Sequence, residues 1–563
     1  MTVQTICISP QIRMRREFFG GLLYDRRNGN IIEIDNEAFF LLCHLGSDCV
    51  NQNALVSFLS DNDLINASPD KIREVIDQLL QLDIIQSCGH EQTTHEFTFI
   101  LYPEVQNHYG LSAPETVHWA ITYDCDQGCP DCYASRFIQK SPALNTKESL
   151  MLIDKLADWG VFQLAIGGGE PFLRDDLPDL VHHAASRGLD VHLTTGLTKL
   201  HDDLLKQLSP SVKVLSLGIR SDHLRSEMGC AGLREWRMSV QNAGMLASAN
   251  LILSRSVLTE LPEIIDRLVE TGFIRIVLLR YKPPANIDRW KQERPKGEEL
   301  KSLHAILARI VDKYPFLHLR VDCALSFVQR HLSPELASRL GLKGCVAAHR
   351  ILAVAPDGSV YPCSQLVHER CYGGNLLESD PKELWDGSKT LQRYRTYQIR
   401  KSFKQSACGI CLKKASCGGC RVFADDGLGG DPGCPQPVFP PIRQLGKNGR
   451  RVDLQHYMKE NYSIPVRSYM QRYGVGQSTA VKELNRSPDV VSMSGKRARR
   501  LDDEFLSAHV RNIVDIQDTI GYTSGGVPFM SYEEIEQGQE DWDYPLWLQN
   551  DAVFSSASEN DKE

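Results

Sequence analysis

Three cysteines fall within eight residues in the stretch YDCDQGCPDCYASRF, with the spacing C-x3-C-x2-C: Cys125, Cys129 and Cys132. Thiols this close together serve disulfides, a structural zinc ion or an iron–sulfur cluster. Zinc takes four ligands, usually from paired C-x2-4-C knuckles, and no fourth Cys or His stands close by. Three thiolates can instead hold three irons of a [4Fe–4S] cluster and leave the fourth iron open to an outside ligand. A glycine run, GGGEPFLR (Gly167 to Arg174), follows one strand–helix unit later. A second field of sulfur lies further on, where eight of the seventeen cysteines fall between Cys345 and Cys434.

From about Thr116 strand and helix patterns alternate. VHWAITYDC, VFQLAIGGGEPF, LDVHLTTG, VKVLSLGIRS, NLILSRSV and FIRIVLLRYKPP read as strands, with amphipathic helices between them. Six such repeats predict an α/β fold whose parallel sheet curls into a partial (β/α)6, TIM-like barrel. Barrel enzymes carry their active groups at the C-terminal ends of the strands. Cys125 and the glycine run both lie at such ends, which places them on one face.

Composition sets the remaining bounds. The 563 residues carry a net charge of −8 and are 42% hydrophobic. Such a chain suits several globular domains and argues against a general nucleic-acid or membrane-surface binder. No apolar run reaches the ~18–20 residues of a membrane span, and the opening MTVQTICISPQIRMRREFF lacks a signal-peptide core. A cytoplasmic location is expected, where disulfides are disfavoured and clustered cysteines are metal ligands or redox groups.

In these features the chain resembles the radical S-adenosylmethionine (SAM) enzymes. The resemblance implies that Cys125, Cys129 and Cys132 hold a [4Fe–4S] cluster whose open iron is chelated by SAM. Gly168, Gly169, Glu170 and Pro171 match the family's GGEP motif. There the glycines would admit the SAM methionine group and Glu170 would offer a negative partner. Thr194, in LTTG, matches a TNG-type turn, and Ser216 and Ser254 stand where the family places ribose contacts. One departure is Asp131, where the family usually has an aromatic residue or His before the third cysteine. The later cysteines resemble the SPASM extension: C-x12-G-x4-C from Cys345 to Cys363, then Cys408, Cys411, Cys417, Cys420 and Cys434. The interval from Cys417 to Cys420 is one residue shorter than the SPASM pattern. Two auxiliary iron–sulfur clusters are implied. Cys408, Cys411, Cys417 and Cys434 would hold one. Cys345, Cys363 and Cys420 would hold the other, with Cys323 or Cys371 as fourth ligand, or with an open iron. A zinc knuckle built from CGICLKKASCGGC is the competing reading. Cys7, Cys43, Cys49, Cys88 and Cys230 read as ordinary cysteines.

Residues 1–90 read as a winged-helix-like α+β domain: a hairpin about Asn28-Gly29, then three helices, the last capped by Ser68-Pro69. They resemble the PQQ-D-like recognition element of ribosomal-peptide maturation, which binds a leader peptide as an added strand. The expected order is a linker over 91–115, the barrel over 116–320, the SPASM domain over 321–440, a basic helical region over 441–500 and an acidic, partly disordered tail over 501–563. Within 441–500, IPVRSYMQRYGVGQSTAVKELNR reads as helix–turn–helix, so DNA is a possible partner but not the favoured one. The resemblance implies reductive SAM cleavage and a 5′-deoxyadenosyl radical that cross-links, epimerises or excises a fragment of a precursor peptide. An outside donor such as a flavodoxin or ferredoxin would supply electrons. The general acid or base is not identifiable. The alternatives are a sulfatase-maturase-type protein modifier and an iron–sulfur redox sensor that binds DNA.

Overall fold

The computed structural model describes residues 5–45, 49–61, 68–88, 110–136, 142–197 and 200–435, apart from 410, 412, 425, 426 and 432, and parts of 450–499. The linker over 91–115 lies mostly, and the tail over 501–563 entirely, outside the described residues. The chain divides near residue 438 into two compact units.

The first unit opens with β1 (Thr5–Ile8), β2 (Ile12–Glu17), β3 (Gly20–Asp25) and β4 (Asn30–Asp35), then α1 (Asn36–Leu45), β5 (Val50–Asn51), α2 (Gln52–Asp61), α3 (Pro69–Gln81) and β6 (Ile85–Ser87). The expected hairpin is present: β3 pairs with β4 around Gly29, whose φ of 76° favours glycine. Strand β2 extends it to three strands, and β5-β1-β6 makes a second small sheet. Ser68 caps α3 as expected by accepting from the Lys71 N–H, with Pro69 in the first turn. Ile72, Ile76 and Leu79 of α3 are buried with Leu42 and Leu59 in one core. One reading from the sequence is corrected: Cys49 and Cys88 are not independent cysteines but are joined as a disulfide. The two-stranded flanking of β1 brings their ends together, which a separation of 39 residues does not disclose.

The main sheet runs through β7 (Thr116–Thr122), β8 (Gln163–Gly168), β9 (Asp190–Thr195), β10 (Val212–Ile219), β11 (Leu246–Leu253) and β12 (Arg275–Arg280), each parallel to the next. Helices α4 (Thr146–Trp159), α5 (Leu177–Ser186), α6 (Asp202–Leu208), α7 (Glu227–Asn242) and the pair α8 (Arg255–Thr259) and α9 (Leu261–Glu270) make the crossovers. Asn145 and Glu148 form a capping box on α4, and Gly160 ends it at φ 91°. After α10 (Ile287–Glu293) and α11 (Leu303–Lys313), a seventh parallel strand, β13 (His318–Val321), follows β12. Its four residues alternate with charge and give only a weak strand signal, so the expected domain boundary at 320 cuts through it. At the other edge β14 (Ile351–Val354) pairs parallel to β7, and β15 (Ser359–Tyr361) and β16 (Gly374–Asn375) continue the sheet antiparallel. The Cys-rich region is therefore built onto the barrel's own sheet.

Alternation along each strand sorts the side chains. Val117, Trp119, Ile121, Leu164, Ile166, Leu193, Leu215 and Leu217 join the core beneath the helices. The intervening positions carry His118, Ala165, Gly167, His192, Thr194 and Ser216 on the opposite face.

The N-terminal sheet packs against the strand starts. Tyr24 donates to Asp190, the first residue of β9, at 2.8 Å, and its ring stacks on Phe162, just before β8. Arg350 pairs with both Glu33 and Glu115, the latter just before β7. Arg15 donates to the carbonyls of Ala113, Pro114 and Gly160.

The second unit contains two helices, Val466–Tyr473 and Gln477–Asn485, either side of Gly474, as expected. It adds a three-stranded sheet of β17 (Ser463–Pro465), β18 (Val490–Met493) and β19 (Lys496–Arg499), so this region is not purely helical.

Candidate active site and cysteine centres

Cys125, Cys129 and Cys132 lie on the loop that leaves β7. Cys125 is exposed and the other two are half-buried. Burial pushes the Cys129 and Cys132 thiols up; both feel the charge of Cys125, and Cys132 that of Cys129. Arg220, at the end of β10, donates to the Cys129 sulfur, and the Ala134 and Ser135 N–H groups point at Cys132. Cys129 and Cys132, which burial holds protonated, ionise when a metal centre takes their charge. The donor set fits such a group.

The GGEP turn is bound to this loop. The Gly169 N–H donates to the Thr122 carbonyl and the Glu170 N–H to the Asp124 carbonyl, both at 2.8 Å. A Cβ at Gly169 would sit 2.1 Å from the Asp124 oxygen, and one at Gly168 2.3 Å from that of Thr122. These glycines thus permit close approach of the two strand ends, while Gly167 faces open space. Pro171 begins a short 3-10 turn and is buried.

Glu170 is held by the neighbouring turn. It is 1% exposed, and its carboxylate accepts from the Thr195 hydroxyl, the Gly196 N–H at 2.9 Å and the Phe172 N–H at 3.2 Å. Its acceptor sites are engaged within the protein, so it braces GGEP against the TTG turn.

The second cysteine field separates into two sets. Cys408, Cys411, Cys417 and Cys434 line one cavity together with Ser326, Gly418 and Gly419. Around Cys345 gather Cys323, Cys363 and Cys420: burial raises all three thiols, Cys363 to about 11 and Cys420 to about 12, and the charge of Cys345 adds to each. Cys371 stands elsewhere, 3.0 Å from the Tyr394 hydroxyl and 3.3 Å from His368. Of the two candidates for a fourth partner, the fold brings Cys323 into the set.

The sequence models of the Radical SAM superfamily and of the SPASM iron–sulfur cluster-binding domain match residues 119–241 and 345–418. The chain carries a radical SAM domain followed by a SPASM domain. Mycofactocin maturase MftC of Mycobacterium ulcerans (strain Agy99) is 27% identical over 364 residues, which cover 62% of this chain and 96% of that one. An AdoMet-dependent heme synthase of Methanosarcina barkeri (strain Fusaro / DSM 804) is 25% identical over 335 residues, covering 56% and 93%. The crystal structure of Streptococcus suis SuiB bound to its precursor peptide SuiA shares the fold, at a TM-score of 0.54 and 18% identity, covering 77% of this chain and 100% of that chain. A radical SAM/SPASM enzyme uses a [4Fe–4S] cluster with SAM, and auxiliary iron–sulfur clusters.

Within this radical SAM/SPASM enzyme the strand register aligns Thr194, Ser216 and Ser248 in one row across β9, β10 and β11. Ser248, which no sequence motif marks, completes this row of small hydroxyls. Ser254 stands one residue beyond β11, and its hydroxyl caps α8 by accepting from Val257. Four charged residues were also missed. Arg280, on β12, pairs with Asp431 at 2.6 and 3.0 Å and stacks 3.6 Å from the Phe423 ring centre. Asp431 in turn accepts from the Cys420 N–H, and its own N–H points at the Cys408 sulfur at 3.3 Å. One residue therefore links both cysteine sets, by its carboxylate to Cys420 and by its backbone N–H to Cys408. Lys282 pairs with Asp322, which also accepts from the Arg280 and Ala324 N–H groups. Burial opposes the Lys282 charge, but Asp322 and the nearby thiols of Cys420 and Cys323 outweigh it and hold the amine protonated. Burial pushes His118, which also faces Lys282, down to about 4, so it is neutral. No sequence motif marks these residues; only their convergence does.

Proposed function

We propose that this enzyme modifies a ribosomally made precursor peptide at the C-terminal face of its barrel. The observation that carries the reading is the three-cysteine loop hydrogen-bonded to the GGEP turn beside two four-cysteine sets. Cys125, Cys129 and Cys132 would hold the SAM-binding cluster. Gly168, Gly169, Pro171, Thr194 and Ser216 would border SAM, with Glu170 as brace and Ser254 at the periphery. Cys408, Cys411, Cys417 and Cys434 would hold one auxiliary cluster, and Cys323, Cys345, Cys363 and Cys420 the other. When bound, these groups supply a 5′-deoxyadenosyl radical for hydrogen abstraction and a path for the second electron.

The protein's own share is placement and enclosure. Asp431 fixes both auxiliary sets against β12, and the row from Thr194 to Ser248 offers hydroxyls to a polar ligand. The protonated Lys282 offers a positive contact between the barrel and the Cys345 set. Residues 1–90 would take the leader, since their two small sheets leave β2, β4, β5 and β6 as edge strands among the described residues. Similarity to a mycofactocin maturase and the fold shared with a peptide-bound SuiB support the peptide reading. A flavodoxin or ferredoxin would donate the first electron.

The test is anaerobic reconstitution of the wild type and of the Cys125→Ala/Cys129→Ala/Cys132→Ala variant, with iron, sulfide and 5′-deoxyadenosine measured. The wild type should release 5′-deoxyadenosine. The variant should release none yet keep the iron of the auxiliary sets. A fully loaded wild type that never cleaves SAM overturns the reading. The peptide assignment is checked separately: peptides encoded beside the gene are titrated against the full chain by fluorescence anisotropy, and failure of all to bind or react removes it.

A further inference from the structure

The N-terminal domain carries a third gathering of sulfur that the radical chemistry does not use. Cys7 lies on β1, Cys49 immediately precedes β5 and Cys88 immediately follows β6. Their three sulfurs lie within 4.8 Å of one another. Cys7 is buried and the other two are half-buried. The surroundings are ordered by the small sheet: the Cys88 N–H donates to the Thr5 carbonyl at 2.8 Å, and the Thr5 hydroxyl to the Cys88 carbonyl at 3.0 Å. The Gln86 side-chain amide donates to the Cys7 sulfur at 3.6 Å.

A disulfide joins Cys49 to Cys88 and leaves Cys7 as a third sulfur against it. A disulfide alone has no use for that thiol, nor for an amide N–H aimed at it. A single thiophilic ion uses both. Zinc–sulfur bonds of ~2.3 Å in tetrahedral array put the sulfurs ~3.8 Å apart; all three lie within 4.8 Å here, and Cys49 and Cys88 would part to that distance once their bond is reduced. The ligands come from three separated segments of a small domain, where a metal ion adds most to folding. Reducing surroundings, which an oxygen-sensitive open-iron cluster also needs, favour the thiols over the disulfide.

We propose that Cys7, Cys49 and Cys88, once the disulfide is reduced, form a binding site for one zinc-class divalent ion, with water in the fourth position. Two electrons and two protons from a thiol reductant open the Cys49–Cys88 bond. The ion then displaces the thiol protons, and the Gln86 amide stabilises the Cys7 thiolate. The disulfide is the metal-free, oxidised form of the same site. The site tethers both flanking strands to β1, in the domain assigned above to leader binding; the proposal does not depend on that assignment.

The test uses the full chain, anaerobically reduced and loaded with iron and sulfide, then exposed to zinc chloride and desalted. Zinc and iron are counted by mass spectrometry in the wild type and in Cys7→Ser and Cys88→Ala. The wild type should retain about one zinc per chain more than either variant, at equal iron. Equal iron also shows that the variants are folded, and two variants guard against a local effect of either. Equal zinc in all three overturns the proposal. So does a Cys49–Cys88 disulfide that persists under these conditions in non-reducing peptide maps, or loss of iron rather than zinc from the variants.

Discussion

Single atoms decide much at the cysteine loop. Gly169→Ala would drive a methyl group into the Asp124 carbonyl 2.1 Å away, whereas at Gly167 nothing stands within 4 Å. Gly169→Ala is therefore expected to abolish 5′-deoxyadenosine formation. Gly167→Ala should retain its cluster and only weaken SAM binding, as checked by equilibrium dialysis. Glu170→Ala leaves the buried Thr195 hydroxyl unmet, at about 1–3 kcal/mol, and the partly buried Gly196 and Phe172 N–H groups at less. It should raise the SAM Kd at least tenfold and lower Tm, although Glu170 was expected to touch SAM itself. The two candidate fourth cysteines give a sharper contrast. Cys323→Ala should lose iron from one auxiliary cluster, while Cys371→Ala, which only breaks contacts to Tyr394 and His368, should keep all of it by iron and sulfide analysis.

Among the elements, β12 and the segment around Asp431 form the joint between barrel and Cys-rich region. Arg280 is 7% exposed and Asp431 fully enclosed, so removing one partner strands a buried charge. Asp431→Asn is expected to cost about 3–5 kcal/mol and to release iron from both auxiliary sets while the Cys125 loop keeps its own. Burial tends to raise the Asp431 carboxyl, but Arg280 and the Cys420 and Gly433 N–H groups hold it below its ordinary 3.8. A folded pKa below the unfolded one gives stability that is complete above about 4 and is lost as pH falls through the folded value. Iron released between pH 6 and 4 should therefore follow thiol protonation and be equally steep in an Asp431→Glu variant that keeps its iron at neutral pH. A pH titration of bound iron measures this.

For the whole molecule, the N-terminal sheet sits at the starts of β7, β8 and β9, and the cysteine loop sits at their far ends. Strand β7 has seven residues, about 23 Å at ~3.3 Å per residue. A peptide held by residues 1–90 must cross at least that length, about seven extended residues. Precursors shortened to fewer residues between the leader-binding segment and the modified position should bind with unchanged Kd yet lose turnover, read by mass spectrometry of the product. Equal turnover at all lengths would place the leader elsewhere.

The sequence by itself determined what local chemistry encodes. Cysteine spacing, the GGEP run and a period of strand and helix named the fold class and six of the parallel strands, and singled out the cysteine loop and glycine turn that the strand ends bring together. The hairpin at Gly29 and the cap at Ser68 were legible because each depends on residues within one turn. Only the tertiary structure decided what depends on distant approach. It placed Cys323 near Cys345 and Cys371 against Tyr394 and His368, since a short turn after β13 carries the former toward Cys345. It set Glu170 against Thr195 and paired Arg280 with Asp431 across 151 residues. It also brought Cys7, Cys49 and Cys88 together. Ion pairs and thiol groupings assembled by packing leave no periodic trace along a chain, because each partner's position is fixed by the core and not by its neighbours in sequence.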